Sequence, residues 1–582
     1  MSISPQIYFK FATFGKKLLP AGRLEIIFAA LKTKTEMTKH YLTKLEETVR
    51  LQWDEPALCN YKGEQFTFGE LATSIEKFHI LFDKAGFGKS SRMAICAKNS
   101  ARWAVSYLAI CTHGAVVVPI LADFTPESVN HLVHHSESSV LFTDPDIWEK
   151  LSIAEMPLVS CVVSVKDFSL LYCADPAIDE AYTSLEESFR KKFPMGFGRE
   201  NISYPTDNAG DLAVINYTSG TTSAPKGVML RHGSFTATVE FAQNNVIPRR
   251  TDNMVSMLPL AHMYGLAFEF LYPMISGVTV YFLGKTPSPS TLLKAMQEVK
   301  PYMVITVPLV MEKVYKSSLK PALSKVKGLL WIPGIGHAIY RKAGKKLQEA
   351  FGGKVRVFIM GGAGLNPEVE RCFRRIGLPY MVGYGMTEAC PLLAWETPSK
   401  FVFGSCGKPV TCAEVRIDSE DPQHIAGEIQ AKGENICIGY YKNPEAEANA
   451  FTDDGFLRTG DLGIMDKDGN IFIKGRSKSM ILSASGQNIY PEELEAVINS
   501  QPYVAESVVV DRSGKIVALV YLDADAIKRD KLDNEAMSDI PENARIATNR
   551  QLPAYSQITK VEVMPVPFEK TPKMSIKRFL YK

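Results

Sequence analysis

An α/β fold shared between at least two domains is predicted by three features of this sequence. Short apolar runs alternate with longer helical patterns from about residue 90 onward. The texture changes past Val410, and 582 residues exceed what one compact core organises. The runs lie at 92–96, 116–118, 139–142, 278–281 and 302–305. They are short, mainly apolar runs between helical patterns, so they read as parallel strands buried on both faces. Past Val410, runs such as 413–417 and 427–430 are short and punctuated by glycine and charge. Such runs suit a small antiparallel or barrel-like unit. The turn Asp466-Lys467-Asp468-Gly469-Asn470 approaches a boundary, and the chain beyond it forms a smaller α+β unit. The expected division is an extension at 1–36, a large domain at 37–477 and a small one at 478–582.

Composition narrows the class further. The chain is 46% hydrophobic and 22% charged with a net charge of +3, and that near-balance gives no argument for nucleic acid. Ten cysteines without a CxxC pair read as reduced thiols in a cytoplasmic protein. His131, His134 and His135 read as a polar helix face, because no cysteine or glutamate stands at metal-ligand spacing beside them. The apolar stretch 104–121 is broken by Thr112, His113 and Gly114, which predicts a buried helix running into a strand and not a membrane span. In the first 36 residues Lys10, Lys16, Lys17 and Arg23 punctuate Phe9, Phe11, Phe14, Leu18 and Leu19. No secretory signal is expected there. A peripheral, basic amphipathic membrane contact and a loosely packed extension upstream of Met37 are the readings left open.

The most informative segment is Tyr217-Thr218-Ser219-Gly220-Thr221-Thr222-Ser223-Ala224-Pro225-Lys226-Gly227. Glycines let backbone N–H groups approach an anion, hydroxyls add donors, and Lys226 adds a point charge suited to phosphate. Pro225 stands where a Walker A loop has glycine, so this is a different phosphate loop. Further along come Gly361-Gly362-Ala363-Gly364-Leu365 after an apolar run, then Gly383-Tyr384-Gly385-Met386-Thr387-Glu388. Arg458-Thr459-Gly460-Asp461-Leu462-Gly463 and Gly475-Arg476-Ser477-Lys478 follow. Next is Ser485-Gly486-Gln487-Asn488-Ile489-Tyr490-Pro491-Glu492, where proline and acidic residues mark a helix start.

In this order the segments resemble the adenylate-forming, AMP-binding superfamily over nearly all of the chain after Met37. Leu258-Pro259-Leu260-Ala261-His262-Met263-Tyr264-Gly265 and the segment from Val307 to Tyr315 are similar to bacterial long-chain fatty acyl-CoA synthetases. The resemblance implies a large domain of parallel-sheet αβαβα subdomains with a small β-barrel-like subdomain, then a mobile α+β domain. It implies that Thr218, Ser219, Gly220, Thr221, Thr222 and Lys226 hold the ATP phosphates. Gly361, Gly362, Ala363, Gly383, Tyr384 and Gly385 would hold adenine, with Thr387 near the α-phosphate and Glu388 on Mg²⁺, a cation that needs few protein carboxylates. Asp461 would accept the ribose hydroxyls, Arg476 would reach the nucleotide, and Lys478 would be the hinge. His262, Tyr264 and Gly265 would border the acyl site, and Gly486 would line the thiol tunnel.

Four positions depart from the family pattern. Ser223 replaces a usual glycine and Leu309 a usual arginine. The family's final Thr-x-x-Gly-Lys-x-x-Arg reads Thr571-Pro572-Lys573-Met574-Ser575-Ile576-Lys577-Arg578, so Met574 occupies the glycine position and Ser575 the lysine position. Lys573, two residues back on the same side of an extended tail, is expected to supply that charge, with Lys577 the second candidate. The leading reading is an ATP- and CoA-dependent ligase for a medium-to-long-chain fatty acid. Its alternatives are a ligase that loads a carrier protein and a non-catalytic nucleotide- or acyl-binding homologue. Monomer and homodimer both remain open.

Overall fold

The computed structural model describes residues 39–206, 208–218, 225–284, 289–482, 488–570 and 576–581. The chain divides into Met1–His40 and Tyr41–Lys582, and the elements that follow belong to the second unit.

The α/β class is as expected. The largest sheet has eight strands in the order Gly439–Tyr441, Lys226–Arg231, Leu212–Thr218, Val116–Pro119, Arg92–Cys96, Val140–Thr143, Cys161–Ser164 and Leu170–Cys173. Its middle strands pair in parallel, and Val116–Pro119 and Val140–Thr143 are buried along their whole length. Continuous apolar runs were the signature of that double coverage. The stretch 104–121 forms the helix Ala101–His113, stopped by Gly114 at φ 89°, and then the strand Val116–Pro119. Ser100 accepts from the Trp103 N–H and caps that helix. Among the described residues no helix is long and apolar enough to cross a membrane.

Beside the antiparallel set Tyr384–Gly385, Leu392–Trp395 and Lys408–Pro409, the described residues of the α/β part hold two smaller sheets with parallel pairs. One orders Asn253–Ser256, Thr279–Phe282, Pro56–Asn60 and Gln65–Thr67. The other is wholly parallel: Met303–Thr306, Val357–Met360 and Tyr380–Val382. Past Val410 the strands Ala413–Asp418, Gly427–Gly433, Leu457–Met465 and Ile471–Arg476 form an antiparallel sheet. The last unit is the hairpin Val504–Arg512 and Lys515–Leu522 with Lys560–Val563 added in parallel. Leu494, Ile498, Val509, Val520 and Ala544 form its core beneath the helices Pro491–Ile498 and Asn534–Asn549. Lys316 ties this unit to the larger part by donating to the carbonyls of Asn499 at 3.0 Å and Val504 at 3.3 Å. Asn366 adds a bond to the carbonyl of Ala496 at 3.0 Å.

Glu269 is an unusual core residue. It is fully buried on the π-helical turn Leu266–Leu271, and one carboxyl oxygen accepts from Met257 N–H (2.9 Å), Leu258 N–H (2.8 Å) and Ser256 Oγ (3.2 Å). These bonds fix the end of the strand Asn253–Ser256, just before His262. Burial pushes the Glu269 carboxyl up to about 8 from 4.5, against the opposing pull of the three donors. Below pH 4.5 both folded and unfolded chains keep the proton. Between 4.5 and about 8 only the folded chain keeps it, so stability falls by up to about 1.4 kcal/mol per pH unit and then levels off. Glu269→Gln cannot titrate, and its stability relative to wild type should rise through that window. Urea melts of both proteins across pH 5 to 8 check this, and parallel pH profiles would contradict a raised carboxyl.

Candidate active site

The carboxyl ends of two parallel strands open into one cleft, where open α/β sheets place their ligands. Val357–Met360 leads into Gly361 and Gly362, and Tyr380–Val382 leads into Gly383, Tyr384, Gly385 and Thr387. The cleft measures about 760 Å³ including its solvent-open part. One wall is this glycine-rich backbone. The other is apolar, formed by Phe241, Val246, Phe268, Tyr272, Met303 and Trp395. Among the described residues lining it, none is Asp, Glu, Lys or Arg.

Two close approaches shape the backbone wall. A Cβ on Gly385 would fall well inside contact distance of the Pro391 carbonyl, so only glycine lets these segments meet. A Cβ on Gly361 would lie 3.0 Å from the Tyr264 ring, whose hydroxyl donates to the Ile359 carbonyl at 3.3 Å. Glycine there lets the Tyr264 ring pack directly against the backbone. His262 caps the helical turn Met263–Gly265, its Nδ1 accepting from the Tyr264 N–H at 3.3 Å, and lines the cleft. Gly265 does not reach the cleft surface. It is buried in that turn, where a Cβ would press on the Pro259 carbonyl. Ala363 is exposed just beyond the lining residues. Phe270, from the same helical segment as Phe268, is a core residue packed on Trp103 and Tyr107.

The charged residues converge through backbone pairing. Thr218 and Lys226 face each other in a hairpin, so the loop between them begins and ends at one point. Gly439–Tyr441 adds to that hairpin's outer edge, with Tyr440 opposite Val228. The Tyr440 ring lies 5.2 Å from the Lys226 ammonium, and its hydroxyl donates to Glu388 Oε1 at 2.9 Å. Glu388 itself is buried. Tyr440 is thus the residue that sequence reasoning missed, since nothing local marks a strand that returns from so far along the chain. Trp395 was missed as well, on a strand that folds back on Tyr384–Gly385 and carries no motif.

Asp461 accepts from the Tyr384 hydroxyl at 2.8 Å and pairs with Arg476 Nε at 3.3 Å. Burial raises its carboxyl above the ordinary range while Arg476 and the Tyr384 hydroxyl pull it back. Each carboxylate oxygen keeps a second lone pair for another donor. Lys478 is exposed in the turn after Arg476. Arg578 pairs with Glu495 and lies 3.7 Å from Glu492, both on the helix Pro491–Ile498. Lys577 is engaged by Glu569 at 2.6 Å. Ser219, Gly220, Thr221, Thr222, Gly486, Lys573 and Ser575 lie outside the described residues.

Glu388 fits a hard cation in one limited sense. No group of three or more His, Cys, Asp or Glu side chains suited to a metal occurs among the described residues. A magnesium ion at Glu388 would therefore take most of its oxygens from phosphate and water, as that ion commonly does.

Comparison with known proteins agrees with this geometry. Residues 45–441 match the AMP-binding enzyme family, and residues 478–581 match the AMP-binding enzyme C-terminal domain. A long-chain-fatty-acid–CoA ligase of Mycobacterium bovis is 29% identical over 556 residues, 88% of this chain and 89% of its own. Long-chain-fatty-acid–CoA ligase 4 of Saccharomyces cerevisiae is 29% identical over 468 residues, 73% of this chain and 67% of its own. Two solved structures share the fold at lower identity. ATP-bound MatB from Rhodopseudomonas palustris has a TM-score of 0.72 at 23% identity, covering 92% of this chain and 97% of its own. The anthranilate CoA ligase AuaEII in complex with anthranoyl-AMP has a TM-score of 0.75 at 19% identity, covering 94% and 97%. With its cleft at the ends of parallel strands and the family's match spanning most of its length, this chain belongs to the AMP-binding enzyme family.

Proposed function

We propose that this enzyme joins a medium-to-long-chain fatty acid to CoA through an acyl-AMP intermediate, consuming ATP and releasing pyrophosphate and AMP. The observation that carries the reading is the pairing of an uncharged apolar wall with a glycine-lined backbone wall in one cleft. An alkyl chain needs only the first, and a charged or amino-bearing acid would lack a counter-charge there. The names of the mycobacterial and yeast relatives support the acyl class.

In the first step a carboxylate oxygen of the fatty acid attacks the α-phosphorus of ATP, and the bond to pyrophosphate breaks. Lys226 stabilises charge on the phosphates, and Tyr440 holds the Glu388 carboxylate in place beside it. When bound at Glu388, magnesium supplies further neutralisation of phosphate charge. Tyr384 and the glycines flanking it pack the purine, Asp461 takes the ribose hydroxyls, and Lys573 supplies the cation that Ser575 lacks. In the second step the CoA sulfur attacks the acyl carbon, the thiol proton is lost, and AMP leaves. Lys478, exposed at the first residue of the C-terminal family match, is where the small domain turns between these steps.

Purified protein with ATP and a panel of saturated fatty acids, with and without CoA, tests the reading. AMP release that requires CoA supports it. Acyl-AMP that persists with CoA and discharges only onto a carrier protein would replace CoA with that carrier. Lys226→Ala and Glu388→Ala should each lower acyl-AMP formation by at least about a hundredfold. Near-normal pyrophosphate release in either would remove these residues from the phosphate site. Tyr440→Phe keeps the ring beside Lys226 and deletes the bond to Glu388. It should cost about tenfold in kcat/KM for ATP, the worth of one hydrogen bond to a carboxylate. An unchanged value would make the bond merely structural.

A further inference from the structure

The segment from Lys313 to Gln348 holds nine Lys and Arg residues and no Asp or Glu. It also carries a tight group of exposed apolar side chains. Trp331 is 83% exposed, and Leu329, Ile332 and Ile335 are each more than 40% exposed. They sit on the 3-10 turn Lys327–Trp331 and at the start of the helix Ile335–Ala350. That helix is divided by face. Gly336, Gly344 and Leu347 are buried on one side, and a Cβ on Gly344 would collide with the Ile376 carbonyl of the neighbouring helix. Arg341, Lys342, Lys345 and Lys346 fall on the other side and are exposed. Ile335, Lys342 and Lys346 are seven and four residues apart, so the apolar tip and the cations share one face. Lys325 and Lys327 add two exposed cations just before the tip. The acidic neighbours are few: Glu349 lies 3.9 Å from Lys345, and Glu368 is engaged by Lys320 at 3.0 Å.

We propose that this face docks the enzyme on the surface of an anionic lipid bilayer, with Trp331, Leu329, Ile332 and Ile335 entering the headgroup boundary. Leaving four large apolar residues exposed to water costs free energy that insertion recovers. Trp favours the bilayer interface, where its ring is in a partly apolar layer and its N–H stays hydrated. The cations around the tip meet anionic headgroups, and their long stems reach upward while the charge stays at the surface. Nucleic acid would use the charge and leave the Ile and Leu side chains unpaired. With no membrane-crossing helix among the described residues, the contact is peripheral. None of these side chains lines the cleft, so the inference stands apart from the acyl reading.

Flotation of the full chain with vesicles of phosphatidylcholine alone, or with about one third phosphatidylglycerol, tests it. The wild type should float with the anionic vesicles at about 0.05 M salt and be released at about 0.5 M. Lys342→Glu with Lys346→Glu should weaken binding by at least about tenfold. Trp331→Ala should weaken it several-fold and remove the blue shift in tryptophan emission that vesicles cause. Thermal melts establish that each variant is folded, and Lys342→Gln with Lys346→Gln replaces the charge reversal if that variant melts early. Charge-altered protein that floats as well as wild type would overturn the proposal, placing the contact elsewhere, residues 1–38 included. Wild type that floats with neither vesicle would also overturn it, leaving the face to a protein partner.

Discussion

The pairing of Gly439–Tyr441 with the edge of the Leu212–Arg231 hairpin is the contact on which the site depends. It delivers Tyr440 to the gap between Lys226 and Glu388, two groups that no local sequence relation brings together. An ammonium facing a buried carboxylate alone would tend to collapse onto it. A tyrosine hydroxyl on the carboxylate and a π-face beside the ammonium hold the two charges near each other while leaving both able to meet a third party. Backbone hydrogen bonds supply that placement, so the geometry is fixed before any ligand arrives.

The same economy shows in the carboxylates. Glu269 and Asp461 are both pushed toward the neutral form by burial, but they have different partners. Glu269 has only neutral donors, three on one oxygen, and serves to hold the strand end before His262. Asp461 has Arg476 across the strand pair, and the opposing cation favours its ionised, hydrogen-bond-accepting form. A single neighbouring charge thereby separates the two acids: Glu269 is held by neutral donors alone, and Arg476 favours the ionised form of Asp461.

Fold and site were legible in the sequence to different depths. Uninterrupted apolar runs revealed the buried parallel strands, because double burial removes the polar alternation of a half-exposed strand. Glycine clusters revealed the cleft's backbone wall, because close approach at Gly385 forbids a side chain. Gly265 makes its close approach elsewhere, to the Pro259 carbonyl inside the turn. Tyr440 stayed hidden because a strand distant in sequence places it, and Trp395 because its local strand carries no motif. A tyrosine in a short strand looks the same whether its partner is core or charge.

Net charge was the least informative summary of all. A total of +3 suggests an evenly mixed surface, yet nine cations with no acidic residue among them between Lys313 and Gln348 leave −6 for the remainder, since 3 − 9 = −6. Electrostatic attraction depends on charge within about a Debye length, roughly 10 Å, and not on the sum over a molecule of this size. Lys325 and Lys327 stand six and four residues before the exposed Trp331, and the helix carrying Arg341, Lys342, Lys345 and Lys346 is pinned to the core by Gly344. A surface that is locally one-signed, apolar at its tip and rigidly backed has the properties of a docking face, whatever the overall balance of charge.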